Sequence, residues 1–499
     1  MEGTASVVGS GPNGLAAAVV LARAGLRVTV WEVAERPGGA TRSARSLAPD
    51  AVTDLGSAVH PFGIASPLFS RLPLHRYGLE WLHPKVPMAH PLDGRPAALL
   101  ERSLGETCRG LGRDGRAWAA VHRSVVRTWD HIVPGVLGPL LRIPEHPVAM
   151  AAFGARGVWP AAALATAAFR DEPARALFAG SAAHGVLPLT RPLTASFGIL
   201  FGAAGHATGW PVARGGSQAI ADALVADLNE HDGIVLTGVQ VSDLAQVCPA
   251  DVVLLDLTPR QVLALTEQAL PRSYARALAR WRYGSATYKI DYLLDGPVPW
   301  ADERVQGAGT VHVGGTLGQL SAAEADVYAG RHPDRPFVLV AQQGAADPSR
   351  APTGKQVLWA YAHTPHGSPV PIGHRIDAQI ERFAPGFRDR ITARLETTPA
   401  DLERMNANLV GGDIGGGAMD GLQQVFRPVR KAVPYATGVP GMFLCSSSTP
   451  PGGGVHGMCG FHAARAALKD LARRRHTTPQ PSGPAAQPTT HPPVDRIHQ

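Results

Sequence analysis

Val7-Val8-Gly9-Ser10-Gly11-Pro12-Asn13-Gly14-Leu15, followed by Val28-Thr29-Val30-Trp31-Glu32-Val33, is the stretch that decides the fold. Gly9 permits a tight strand-to-helix turn, Gly11 lets the backbone approach a pyrophosphate, and Gly14 lets the helix pack closely on the strand. Pro12 and Asn13 open that helix, whose free N–H groups and positive dipole end favour an anion. Glu32, with Val33 beside it at the tip of the second strand, can accept ribose hydroxyls and disfavours a 2′-phosphate. The flanking pattern agrees: Ala5 to Val8 reads as a short buried strand, Leu15 to Ala24 as an Ala-rich helix stopped by Gly25, and Leu26 to Trp31 as a second strand.

A second glycine pair follows in Glu35-Arg36-Pro37-Gly38-Gly39-Ala40-Thr41-Arg42. In flavoproteins of the glutathione-reductase-like class such a turn brings backbone amides and an arginine toward the pyrophosphate and flavin, so the pair points to FAD. A plain Pro-Gly turn is the competing reading. Near the other end, the stretch from Val439 to Phe461 reads as a strand running into the glycine loop Pro451-Gly452-Gly453-Gly454-Val455-His456-Gly457 and then a helix from Gly457 to Arg473. Free amides at that helix start can stabilise negative charge gathering on a reduced flavin.

These motifs, with Asp54-Leu55-Gly56, resemble the phytoene desaturase family of FAD-dependent oxidoreductases within the flavin amine oxidase superfamily. The branch called phytoene dehydrogenase-related is similar also at Thr258-Pro259-Arg260-Gln261, Lys289-Ile290-Asp291-Tyr292 and Gly411-Gly412-Asp413-Ile414. The resemblance spans residues 4 to 473. It implies an α/β fold: a Rossmann-like, glutathione-reductase-like FAD domain with an inserted substrate domain of mixed sheet plus helical lid. The implied FAD domain comprises 1–75, 206–288 and 402–475, and the substrate domain 76–205 and 289–401. It also implies cofactor contacts at Gly38 to Arg42, Gly56, Ser57, the backbone of Val239, and Gly454, Val455 and His456.

At 499 residues and 45% hydrophobic content the chain can bury large cores. Its four cysteines are scattered without CxxC or metal spacing, which favours a reducing, cytoplasmic compartment. No signal peptide precedes the first strand, and no stretch reaches about 18 uninterrupted apolar residues, so neither export nor a spanning helix is expected. The net charge of +7 comes from scattered basic residues and does not point to nucleic acid. The tail from His476, rich in Pro, Thr, Gln and His, is expected to be disordered. Oligomeric state is not legible.

Residues 76 to 205 read as largely helical and poor in charge from Ile132 onward. Ile132 to Leu141, Val158 to Leu164 and Phe197 to Phe201 are apolar runs. They form either an ordinary helical core, a lid over an apolar tunnel, or a surface that dips into one membrane leaflet. Gly209 to Gln218 lead into a helix ending at Asn229, and Gly233 to Val239 return a strand to the FAD domain. Val241 to Leu244 then pass to Asp251 to Asp256 through a hairpin shorter than the family's.

For catalysis the informative segment is Tyr288 to Leu294, a strand whose alternation puts Lys289 and Asp291 on one face. Lysine followed by Pro299-Trp300 is similar to the flavin amine oxidases, whose lysine holds a water beside flavin N5. Lys289 is therefore a candidate at N5, against the alternative of a structural Lys289–Asp291 pair. His456 is the preferred histidine for proton work, ahead of His60 and His363. His363 and His366 lack a third ligand, so no metal is expected.

The expected reaction is FAD-dependent desaturation, saturation or isomerisation of CH–CH groups in a lipophilic substrate, isoprenoid or polyene. A flavin amine oxidase is the rival, weakened by Ala40 where an Arg belongs after the glycine turn. A flavin-binding protein acting through partners is the second. Gly411 to Gly417 lacks the strand and helix of a second nucleotide fingerprint, which disfavours an NAD(P)H-linked reductase.

Overall fold

A computed structural model describes residues 3–140, 142–266 and 269–477. Of the tail expected to be disordered from His476, His476 and Thr477 instead close the C-terminal helix Met458–Thr477, and the rest lies outside the described residues from 478 onward, as does Leu141. Five strands, β1 (Thr4–Val8), β2 (Arg27–Trp31), β9 (Ile234–Leu236), β10 (Val252–Leu255) and β16 (Met442–Leu444), form an all-parallel sheet in the order β16-β10-β1-β2-β9. Its strands are short and apolar because helices cover both faces. Helix Pro12–Arg23 packs on one of them, against the C-terminal helix Met458–Thr477. Gly460 allows that contact: a Cβ there would strike the carbonyl of Asn13.

The second sheet has seven strands, in the order β15-β11-β14-β13-β12-β6-β7. They are β6 (Val86–Leu92), β7 (Arg95–Leu100), β11 (Ala286–Leu294), β12 (Ala308–Val313), β13 (Val338–Ala341), β14 (Gln356–Thr364) and β15 (Ile391–Thr397). All neighbours are antiparallel except β12 with β6. A hairpin of β3 (Ser43–Ala48) and β4 (Ala51–Asp54) packs on this sheet, and β5 (Trp81–Leu82) pairs with β8 (Val212–Ala213). The fold is thus the expected α/β class, a Rossmann-like parallel sheet with an additional mixed sheet.

Two expectations need correction. After the 3-10 turn Leu74–Tyr77, residues 78–103 are not helical: they supply β5, β6 and β7, and the next helix begins at Leu104. Every residue of Val86-Pro87-Met88-Ala89-His90-Pro91-Leu92 is buried, so the strand shows no polar alternation, and its two prolines masked it. The hairpin expected after Val239 is also absent. A single 3-10 turn at Leu244–Gln246 leads into β10.

Period-two alternation divides the seven-stranded sheet into two faces. Tyr288, Ile290, Tyr292, Val311, Val338, Leu358 and Ala360 bury against helix Gly373–Phe383. Lys289, Asp291, Thr310, His312, Trp359, Tyr361 and His363 point the other way, into the interior. The sequence pattern of β11 predicted this placement of Lys289 and Asp291 on one face.

A buried guanidinium ties the connection between β13 and β14 to the β3–β4 hairpin and to β8. Arg350, with no exposed surface, donates from Nη1 to Asp54 Oδ2 (3.0 Å), from Nε to Asp347 Oδ2 (3.1 Å) and from Nη2 to the carbonyl of Ala213 (3.1 Å). Asp54 also accepts from the Ser217 amide (2.8 Å) and the Ser43 hydroxyl (2.7 Å). Burial pushes the Asp54 carboxyl up, but Arg350 and these donors more than offset it and hold it below the usual value. Asp347 is held down too, burial again being outweighed, by Ser349, the Gly215 amide and Arg350.

Arg350→Met leaves two carboxylates buried without their cation. A loss of roughly 3–5 kcal/mol in unfolding free energy is expected near pH 7. Wild-type pairing is fully present above the unfolded carboxylate range and fades as pH falls through the depressed values. Denaturant titrations at several pH values should therefore show the variant's deficit shrinking in acid.

Candidate functional site

The glycine fingerprint forms a closely packed cradle at the start of helix Pro12–Arg23. Gly9 takes φ +97°, beyond the reach of most side chains, and its amide donates to the Trp31 carbonyl (2.8 Å). A Cβ at Gly11 would come within 2.7 Å of Asp256 Oδ2, and one at Gly14 would strike the Gly9 carbonyl. The Gly38-Gly39 turn folds back onto this cradle: the Gly38 amide donates to the Ser10 carbonyl (3.0 Å), and a Cβ at Gly39 would sit 3.1 Å from Gly11 Cα. Gly56 and Ser57 pack beneath Ala40, whose carbonyl accepts the Ser57 amide (3.0 Å).

Glu32 is buried and held rigidly. Its Oε2 accepts from the amide (2.8 Å) and hydroxyl (2.5 Å) of Ser10, and its Oε1 from the Ala34 amide (2.8 Å). Val33 beside it is exposed. The Val239 amide donates to the Glu32 carbonyl (2.9 Å), which sets Val239 at the same edge. Thr41 is buried and turns its hydroxyl to the Gly38 carbonyl (2.7 Å). Arg42 spends Nε on the Gly39 carbonyl (3.0 Å) and Nη2 on the Met405 carbonyl (2.9 Å). Burial lowers its pKa while Glu32 opposes the shift. At two edges of the cradle, Asn13 Oδ1 and Ser57 Oγ are buried without a partner among the described residues.

The C-terminal loop reaches the same end of the sheet because the C-terminal helix lies across the first one, with Gly457 against Ala16. His456 is held within that loop. Its Nδ1 accepts from the Met458 amide (3.1 Å), its ring lies over Gly454, and its carbonyl accepts from the Ser66 hydroxyl (2.6 Å). Burial drops its pKa to about 4, so it is neutral near pH 7. His60 belongs to the junction network, pairing through Nε2 with Ser217 Oγ (2.8 Å), and burial lowers it likewise to about 4.

Lys289 and Asp291 form an ion pair, 3% and 1% exposed, on the interior face of β11. Burial raises the Asp291 carboxyl and Lys289 counters it, with the Asp54 charge adding to the rise. Asp291 Oδ1 keeps no other partner among the described residues. The pair stands in register with Tyr361 and Trp359. From there an unbroken run of rings leads away: Tyr361 to His363, Phe337 and His312, then His184, Phe201, Phe62 and Trp129, with neighbouring centroids 4.4 to 6.4 Å apart. His184 Nε2 meets His312 Nε2 at 2.9 Å, and His363 Nδ1 meets the Glu324 carboxylate at 2.9 Å. Burial drives His184 down to about 3 and His312 well below its usual value, so both are uncharged.

Several residues here were not singled out from the sequence. Ser10 orients Glu32, Asp256 lines the cradle, Asn408 donates from Nδ2 to the Asp256 carbonyl (2.7 Å), and His184, His312 and Glu324 lie along the interior run. Alternation in Thr310-Val311-His312-Val313 could have shown His312; nothing local marks the others. His366 does not join His363: its Nδ1 bonds to the Gly284 carbonyl (2.9 Å). Among the described residues no three ligating groups cluster for a metal.

A parallel sheet with a glycine cradle, a carboxylate at the second strand's tip and a returning C-terminal glycine loop defines a dinucleotide-dependent oxidoreductase of the flavoprotein type. The comparisons agree. The family model for an NAD(P)-binding Rossmann-like domain matches residues 7–72. The chain is 26% identical to pyridine nucleotide-disulfide oxidoreductase domain-containing protein 2 of Rattus norvegicus, over 94% of each chain. It is 26% identical to hydroxyneurosporene desaturase of Cereibacter sphaeroides, over 94% of this chain and 98% of that one. Its fold is shared with wild-type putrescine oxidase bound to putrescine, at TM-score 0.57 and 17% identity, covering 95% of this chain and 100% of that one. Over nearly its whole length the chain is thus similar in sequence to flavoprotein-type oxidoreductases and shares its fold with an amine oxidase.

Because His456 is already neutral, His456→Asn is expected to leave the pH profile of flavin reduction unchanged between pH 6 and 8, even where it loosens the loop. A displaced inflection, read by stopped-flow absorbance, would restore a proton-transfer role to this ring.

Proposed function

We propose that the chain is an FAD-dependent oxidoreductase that moves hydrogen on CH–CH groups of a lipophilic substrate, isoprenoid or polyene in class, by desaturation, saturation or isomerisation. One observation carries the reading: the interior run of rings between Lys289 and the helices at Trp129 and Phe201 is aromatic and uncharged. Asp291 is matched by Lys289, and the Glu324 carboxylate is engaged by His363 Nδ1 at 2.9 Å. An apolar chain along such a run would gain from its area, and an ammonium would find no free anion there.

The cradle fits the cofactor. Gly11 to Gly14 and Gly38 to Arg42 would hold the diphosphate, Glu32 the ribose, Val239 the adenine edge, and Gly454 to His456 the flavin end. FAD, when bound, supplies the two-electron acceptor or donor that an unactivated carbon chain itself lacks. The protein's part is placement and dryness. Lys289, fixed by Asp291, presents a buried ammonium at the head of the aromatic run, where a positive charge favours electron density arriving on the flavin. Asp291 positions it.

The purified protein should carry FAD, and an isoprenoid or polyene should bleach it anaerobically. Lys289→Met is expected to slow flavin reduction or reoxidation at least tenfold while FAD is retained; unchanged rates in both directions would remove Lys289 from the chemistry. Bleaching by amines instead would favour the rival that the shared putrescine oxidase fold keeps in view. Flavin left oxidised by every substrate offered would favour a binding protein acting through partners.

We further infer a peripheral membrane contact from the cytoplasmic side. Leu140, Ile143, Val148, Val158 and Trp159 are all exposed, between 47% and 87%, within one short stretch. Arg142 stands among them and lines a cleft with Arg465 and Lys469. Helices Pro147–Gly157 and Ala161–Ala168 meet at 89°, and among the described residues no single helix is long and apolar enough to cross a membrane. The four cysteines are all free, which suits a reducing compartment. Ile143→Asp with Val148→Asp should lower co-sedimentation with anionic vesicles severalfold without changing FAD content; equal sedimentation would remove the contact.

A further inference from the structure

Asp256 follows β10 and carries a carboxylate into the cradle at the place where the fold directs a diphosphate. It is 5% exposed. Its Oδ2 accepts the Gly14 amide at 3.0 Å and lies where a Gly11 side chain would begin. Gly11 is also the residue whose bare backbone admits the pyrophosphate. An anionic Asp256 would therefore share the first turn of helix Pro12–Arg23 with an anionic ligand. Among the described residues no cation offsets it. Glu32 faces it from the end of β2, the thiols of Cys445 and Cys459 face it from the β16 end and the C-terminal helix, and Asn408 bonds only its backbone carbonyl.

We propose that Asp256 is a positioning residue that must hold a proton when the cofactor's diphosphate binds, so that FAD binding takes up one proton from solution. A protonated carboxyl donates one hydrogen bond and can turn it toward a phosphate oxygen; the ionised form repels that oxygen. The proposal rests on the FAD reading above and extends it to the charge state of the site. Burial, with the Glu32 charge adding to it, outweighs the Gly14 and Gly11 amides and pushes the Asp256 carboxyl up to about 7. Its neighbours do not change charge nearby: burial pushes Cys459 up to about 12 and Cys445 well above its usual range, and drops His456 to about 4.

The sign follows from linkage. A ligand that prefers the protonated form binds with full affinity below the free protein's pKa and loses about tenfold per pH unit above it. Apoprotein prepared by removing the cofactor is titrated with FAD from pH 6 to 8.5, following quenching of flavin fluorescence. Binding is also measured at pH 7.5 by calorimetry in two buffers of different ionisation enthalpy. The expected results are a Kd that rises more than tenfold across the range and net uptake of about three quarters of a proton at pH 7.5. Asp256→Asn, always neutral and still able to accept the Gly14 amide, should bind with a pH-independent Kd near the wild-type value at pH 6. A wild-type Kd that changes less than twofold, with no proton uptake, overturns the proposal and leaves the FAD reading standing. Absence of FAD binding at every pH overturns both. Should Asp256→Asn fail to fold, proton uptake by the wild-type protein decides alone.

Discussion

The close approach of bare backbone at Gly11 is the constraint on which the rest depends. Gly39 lies against its Cα, Asp256 against its missing side chain, and the first helix begins just beyond it. Segments far apart in the chain therefore meet at one helix start, each bringing amides or carbonyls in place of side-chain bulk. That is the physical form of an anion site: a helix start lined by backbone rather than side-chain bulk, with the Asp256 carboxylate standing before its Gly14 amide. It also explains why the C-terminal helix must cross the first one at Gly460, since only that crossing brings the Gly452 to Gly457 loop to the same end.

The second constraint is electrostatic. Arg350 binds two buried carboxylates on different segments, Asp54 at the end of the β3–β4 hairpin and Asp347 in the connection between β13 and β14. A buried ion of this kind adds little stability in itself but strongly disfavours any arrangement that leaves a member unpaired. It fixes how the seven-stranded sheet presents its interior face, and so where Lys289, Asp291 and the aromatic run stand relative to the cradle. Farther along that face, neutral histidines take up hydrogen-bonding capacity without adding charge, which keeps the interior compatible with an apolar ligand.

The cradle was the most legible part of the chain. Its glycines, Glu32 and the Gly38-Gly39 pair are local in sequence, and the geometry each requires is set by backbone sterics within a few residues. Lys289 and Asp291 were legible for a similar reason, since strand alternation is local. Elsewhere local pattern misled. Val86 to Leu92 is buried throughout and broken by prolines, so it carries no period-two signal, and only pairing with β12 and β7 makes it a strand. His456 drew notice by standing in the glycine loop, yet tertiary burial and its bond to the Met458 amide give it a backbone-holding place.

By itself, then, the sequence determined the nucleotide-binding architecture, because a glycine turn and an alternating strand are decided by near neighbours. Tertiary structure alone decided which charges are matched and which ionisable groups stay neutral. Asp256 lies beside Gly14 and Glu32, Arg350 reaches Asp54, and His363 reaches Glu324, across separations that no local pattern encodes. Burial and pairing set the charge of such groups, and both are properties of the packed chain rather than of any segment in it.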